Sequence, residues 1–259
     1  MSIFTFLLLV YSMFFTLFFV YRRGKRFLVN RRCKVYPLDR GLSKIVFDGF
    51  TLVGCQLVVN VVRELLSGIY DCDCRGKVVL DVGGFKGESA VFFWSRGASK
   101  VVVYEPVPAH HSFIGVNVKR NGVNAELFEA AVGDFDGERT VYYDGLDLGF
   151  GLNQFGSHNS LTIKVRDVSS VIAESGASVA KFDCEGGEAS LLNVSSDLLR
   201  QFEYVMVEFH SRLVRTQLFE KFGDAGFVVV KDTGKNNLFD ISVAHFKRRG
   251  GVNLLRSVA

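Results

Sequence analysis

The chain has 259 residues, enough for one large α/β domain with a short appendage, and carries 31 lysines and arginines against 27 acids, a net charge of +4. The basic excess sits in residues 22–44, where Arg22, Arg23, Lys25, Arg26, Arg31, Arg32, Lys34, Arg40 and Lys44 face only Asp39, so the balance argues for a juxtamembrane collar over a nucleic-acid groove. Cys33, Cys55, Cys72, Cys74 and Cys184, odd in number and without a C-x-x-C pair, speak against a disulfide framework and a zinc knuckle and suit thiols in a reducing compartment.

In chain order, residues 3–21 (IFTFLLLVYSMFFTLFFVY) carry no charge and are interrupted only by Thr5, Ser12 and Thr16. At about 1.5 Å per residue such a run just spans a hydrocarbon core of about 30 Å. It lacks the basic start and small-residue cleavage site of a signal peptide, which predicts a retained transmembrane helix over residues 1–21. The collar at 22–44 then holds the following domain on the cytoplasmic side and can meet anionic lipid head groups. A small extended segment over 35–50, punctuated by Pro37, Gly41 and Gly49, leads into an extension over 45–76 that carries a helix over 53–70 with Leu57, Val58, Val61, Val62, Leu65 and Leu66 at helical spacing.

The stretch 78–108, VVLDVGGFKGESAVFFWSRGASKVVVYEPVP, reads as a buried strand, a glycine turn, a helix over 88–96, and a second buried strand ending in Glu105. Glu105 lies 24 residues after Asp81, where a βαβ nucleotide unit places the carboxylate that accepts ribose hydroxyls. The turn is D-x-G-x-x-x-G, not the G-x-G-x-x-G that holds a pyrophosphate. An acid at Asp81 is poorly placed for a pyrophosphate and suits a ligand with a cationic amino-acid end, such as S-adenosylmethionine.

Beyond it come a helix over 109–120 stopped by Asn121-Gly122, a strand over 125–132, a short strand over 139–143, a glycine- and asparagine-rich loop over 144–160 that suits a substrate lid, and a strand and helix over 161–174. A buried strand over 178–182 delivers Asp183, and one over 204–209 delivers Glu208 and His210. A helix over 213–222 and strands over 226–230 and 238–245 complete an alternation that predicts a doubly wound, mainly parallel sheet with ligands at its carboxyl edge. Residues 247–259 read as a loose tail.

Group transfer to a hydroxyl needs alignment and a base, for which Asp183, then His210, and less favourably His158, are candidates. No metal site is expected, although Asp183, Glu185 and Glu208 offer hard oxygen ligands for Mg²⁺. The adjacent His110 and His111 do not face one direction on a helix. Each acid also has a bland reading as a helix cap or surface ion pair, Glu188 above all.

Residues 78–87, 104–106, 130–134, 181–188 (KFDCEGGE) and 207–210 together resemble the FkbM-type methyltransferases over residues 77–246. Gly84 and Lys86 depart mildly from that pattern. The resemblance implies a class I, Rossmann-like methyltransferase fold that uses S-adenosylmethionine and O-methylates a sugar, a lipid-linked glycan or a small molecule. It implies that Asp81, Gly83 and Gly87 line the methionine end of the cofactor, that Glu105 binds its ribose, that Ala131 and Gly133 approach the adenine, and that Asp183 faces the sulfonium or the acceptor hydroxyl. The expected partners are that acceptor and the membrane, with no nucleic acid. The rival readings are a tethered, non-catalytic scaffold and an NAD-dependent oxidoreductase.

Overall fold

A computed structural model describes residues 33–143, 159–234 and 241–250. The span predicted at residues 3–21, the collar before Cys33, and most of the glycine-rich loop with His158 lie outside the described residues. Among the described residues no helix is long and apolar enough to cross a membrane.

Strands β4 (Val78–Val82), β5 (Lys100–Tyr104) and β6 (Ala125–Phe128) alternate with α2 (Glu88–Ser95) and α3 (Pro108–Arg120), as the sequence predicts. After an excursion through β7 (Ala131–Gly133), β8 (Gly137–Tyr143) and β9 (Asn159–Asp167), the chain returns through α4 (Val168–Ser175) to β10 (Val179–Phe182). A 3₁₀ turn (Gly187–Asn193), α5 (Ser196–Leu199), β11 (Tyr204–Phe209), α6 (Arg212–Asp224), β12 (Phe227–Asp232) and β13 (Ser242–Arg248) follow. The main sheet has the order β12-β13-β11-β10-β4-β5-β6. Its core strands are parallel, and only β13 runs against its two neighbours.

Period-two alternation sends side chains of each strand to opposite layers. Val79, Val101, Val103, Val179 and Met206 pack beneath α1 (Gln56–Leu65), α2 and α3, with Val58, Val62, Phe92, Phe93 and Ile114. Leu80, Val82, Phe182, Val207 and Phe209 pack beneath α4 and α6, with Val171, Ile172, Leu218 and Phe222. Burying each such side chain contributes about 1.5–3 kcal/mol, and two covered faces explain why these strands read as continuous apolar runs.

Several boundaries differ from the sequence reading. Residues 35–50 form a real antiparallel meander, β1 (Cys33–Pro37), β2 (Ser43–Phe47) and β3 (Phe50–Gly54), whose turns use Gly41 and Gly49 at positive φ. Its free edge is closed by side chains of α3: Asn121 exchanges bonds of 2.8 Å with the N–H and carbonyl of Thr51, and the Asn117 amide accepts from the Val53 N–H at 2.8 Å and donates to its carbonyl at 3.1 Å. The helix predicted over 53–70 is accordingly only Gln56–Leu65. The predicted strand over 125–132 breaks after Phe128, and β7 leaves the main sheet to pair with β9 in a small sheet ordered β7-β9-β8. Strand β13 continues through residues assigned to the tail, because pairing with β11 satisfies its backbone as far as Lys247.

Candidate active site

Successive strands step outward in opposite directions from β4, to β5 and β6 on one side and to β10 and β11 on the other. The carboxyl ends of β4 and β10 therefore border the crevice that such a reversal opens. The turn after β4 is built for close approach. Gly83 has φ +85°, and a Cβ there would lie 1.8 Å from the Asp183 carbonyl oxygen. Gly87, at φ +89°, opens α2 and sits against Ile114. Between them Phe85 holds φ +42°, an uncommon conformation for a non-glycine residue and a mark of strain at a functional turn.

Glu105 grips this turn. Its Oε2 accepts from the Phe85 N–H at 3.0 Å and its Oε1 from the Val107 N–H at 3.0 Å. His110 Nδ1 lies 3.1 Å from the same Oε1, and His111 Nε2 lies 2.6 Å from the Glu105 carbonyl oxygen. The two histidines thus meet one residue through different atoms, and the buried Glu105 carboxylate binds backbone N–H groups of the glycine turn and its own loop.

The rest of the site is a polar stripe on the α1 side of the sheet. Lys181 is in register with Asp81 on one side and Met206 on the other, so Asp81, Lys181, Asp183 and Glu208 share one face. Asp81 is fully buried, with Ser89 donating to its Oδ2 at 2.6 Å. The Lys181 ammonium donates to the Gly83 carbonyl at 3.0 Å and lies 3.4 Å from Asp81 Oδ1 and 3.3 Å from Asp183 Oδ2. Burial opposes the Lys181 charge, but Asp183 and Asp81 outweigh it and hold the ammonium above its ordinary pKa. Tyr70 donates to Glu208 Oε2 at 2.5 Å. Burial, then the charge of Asp183, raises the Glu208 carboxyl to a pKa of about 8. Glu88, on the first turn of α2, is buried and raised to about 8 for the first reason. Among the described residues Asp81 Oδ1 and Glu88 Oε1 are buried oxygens without a hydrogen-bond partner.

At the mouth, the D-x-E-G-x-E block turns through Glu185 (φ +52°) and Gly186 (φ +101°). Buried Glu188 accepts from the Gly186 N–H at 2.8 Å and the His210 N–H at 2.9 Å. The His210 ring lies 3.3 Å from Glu188 Oε1 and 3.5 Å from Glu185 Oε2. Burial works against its charge, but the Glu188 hydrogen bond and the Glu185 charge raise its pKa to about 9. At neutral pH His210 is therefore an imidazolium that orients carboxylates, a state with no lone pair to take a proton. Asp183, Glu208 and His210 bring ligand atoms within 4.8 Å of one another. The cluster thus has His210 where the Mg²⁺ alternative has Glu185, and the cations Lys181 and His210 pair with these acids internally.

These shifts have one sign. The raised His210 contributes stability fully present below pH 6.5 and lost as pH rises through 9, about 3 kcal/mol. Glu88 and Glu208 likewise keep protons in the folded chain, up to about pH 8, that the unfolded chain releases above about pH 4.5. Denaturant titrations should show stability falling from pH 6.5 to pH 9, with a shallower fall in His210→Gln. Identical pH slopes in the two proteins would contradict the imidazolium assignment.

Of the remaining sequence candidates, Ala131 and Gly133 flank buried Val132 on β7, whose carbonyl oxygen would lie 3.1 Å from a Cβ at Gly187. β7 therefore abuts the turn after Asp183. The sequence reading assigned no role to Lys181, Tyr70 or Glu88. A lone lysine within the apolar strand VAKF was the available signal for Lys181; Tyr70, distant in sequence, gave none.

A family model described as the methyltransferase FkbM domain matches residues 81–229, more than half of the chain. No curated protein matches the chain in sequence. Among solved structures, the chain is similar to the methyltransferase SMU.776 complexed with SAH, with TM-score 0.51 and 10% identity over 82% of this chain and 57% of that one. It is also similar to Aeropyrum pernix fibrillarin with natively bound S-adenosyl-L-methionine, with TM-score 0.43 and 12% identity over 82% and 97%. The first likeness shows a shared fold.

Proposed function

Because the chain belongs to the FkbM methyltransferase domain family, we propose that it is a membrane-anchored, S-adenosylmethionine-dependent methyltransferase that O-methylates a hydroxyl of a sugar, a lipid-linked glycan or a small molecule. One observation carries the choice of cofactor. Strand β4 brings buried Asp81, whose Oδ1 has no hydrogen-bond partner among the described residues, and β10 ends in the partly exposed Asp183 carboxylate. Carboxylates at both strand ends suit a cationic amino-acid end better than the pyrophosphate of a dinucleotide.

Asp81, Gly83 and Gly87 would hold the methionine end, with Glu105 toward the ribose and Ala131 and Gly133 toward the adenine. When bound, S-adenosylmethionine supplies an electrophilic methyl group. Asp183 accepts the proton of the acceptor hydroxyl; its side chain is 29% exposed at the mouth and anchored through one oxygen by Lys181. His210, Glu185 and Glu188 fix the turn that presents it. The non-catalytic scaffold reading predicts donor binding without turnover.

Residues 3–21 anchor the chain and the collar orients the domain to the cytoplasm, so an acceptor at the inner leaflet gains effective concentration from the tether. Membranes incubated with the full chain and a radiolabelled methyl donor should yield label in a lipid-linked or glycan hydroxyl. Label recovered in nucleic acid instead would overturn the proposed acceptor. The full chain should sediment with membranes and resist protease added outside intact cells, whereas a chain starting at Val35 should stay in the supernatant; sedimentation of both would remove the anchor.

A further inference from the structure

We infer that Lys181 is a positioning residue for methyl transfer: its ammonium ties the turn at Asp81–Gly83 to the Asp183 carboxylate, so one cation sets both walls of the crevice. The inference rests on the proposed function and deepens it, since the resemblance, whose block at 181–188 begins with this lysine, gives it no role.

The geometry is specific. Lys181 is 3% exposed and sits within 3.4 Å of three oxygens from two chain segments: Gly83 O, Asp81 Oδ1 and Asp183 Oδ2. Its ammonium also lies 5.7 Å from the ring centroid of Tyr70, whose hydroxyl holds Glu208. The same cation thus meets the turn after β4, the Asp183 carboxylate and the face of the tyrosine that holds Glu208. Stability alone is a weak reason for this arrangement, because a buried ion pair can often be replaced by apolar side chains without loss. Position explains it better. Asp183 follows its strand at the crevice mouth, where an unanchored carboxylate would rotate freely; binding Oδ2 inward leaves Oδ1 as the oxygen free to face an acceptor. The bond to the Gly83 carbonyl ties the turn to β10, against which Gly83 already packs too closely to carry a Cβ.

The test compares full-length wild type, Asp81→Asn, Lys181→Met and the double variant Asp81→Asn/Lys181→Met. The double variant removes both buried charges and keeps a folded reference if Lys181→Met alone unfolds. Calorimetry with S-adenosylmethionine should show affinity at least about tenfold weaker in the double variant than in Asp81→Asn, at a temperature where circular dichroism finds both folded. Label incorporation into membranes at saturating donor should fall about a hundredfold further than in Asp81→Asn, the loss expected when a base is misplaced. Equal donor affinity and equal saturated turnover in Asp81→Asn and the double variant would overturn the role of Lys181 and leave the proposed function standing. A wild-type protein that binds no S-adenosylmethionine would overturn the proposed function, and this inference with it.

Discussion

Asp183→Asn should lower methyl transfer by about 10²–10⁴-fold, the range a positioned general base contributes, while S-adenosylmethionine affinity stays within about threefold of wild type. The side chain is isosteric, so the turn after β10 keeps its shape. What is lost is the ability to take a proton. Lys181 still has Asp81 Oδ1 and the Gly83 carbonyl as partners, so the wall formed by Asp81–Gly83 stays in place. Single-turnover label transfer and donor calorimetry on the same preparation separate the two effects. Unchanged turnover would remove Asp183 from the mechanism. A matching loss of donor affinity would make it a binding residue instead.

Gly83→Ala should destabilise the fold by about 3–5 kcal/mol, in the range reserved for named structural faults. Two causes add. An L side chain at φ +85° is strained by about 1–2 kcal/mol, and the new Cβ would lie 1.8 Å from a backbone oxygen of Asp183. No rotamer relieves a backbone clash, so the tips of β4 and β10 must part. Gly186→Ala is the internal control: its φ is +101°, with nothing within 4 Å of the added Cβ, so only the strain of about 1–2 kcal/mol applies. Urea titrations of both variants measure the difference. Equal losses at the two positions would show that the walls do not pack as described. Donor affinity should also fall at least about tenfold in Gly83→Ala, since opening this contact separates the carboxylates that line the crevice.

The main sheet was legible in the sequence because its strands are covered on both faces, leaving apolar, β-branched runs that no surface strand would carry. The acids at their ends were legible for the same reason: Asp81, Glu105 and Asp183 interrupt those runs. What stayed hidden depends on pairing. Residues 125–132 read as one strand because Ala130 and Val132 are as apolar as Leu127, yet β7 takes β9 as its partner. The meander was obscured by mixed, short segments whose edge is completed by Asn117 and Asn121 from more than sixty residues away. In the site, Glu105 could be placed at the glycine turn, but its grip on the Phe85 N–H could not be read from spacing. His210 offered itself as a base; only the fold surrounds it with Glu185 and Glu188, which make it a cation at neutral pH. Lys181 became meaningful once register set it beside Asp81.

Calorimetric titration of the full-length protein with S-adenosylmethionine, S-adenosylhomocysteine and NAD tests the central claim most directly, because it needs no acceptor. The acid-lined crevice predicts saturable binding of the two adenosyl amino acids, tighter for the cationic S-adenosylmethionine, and no binding of NAD. Saturable binding of NAD with none of S-adenosylmethionine would contradict the account.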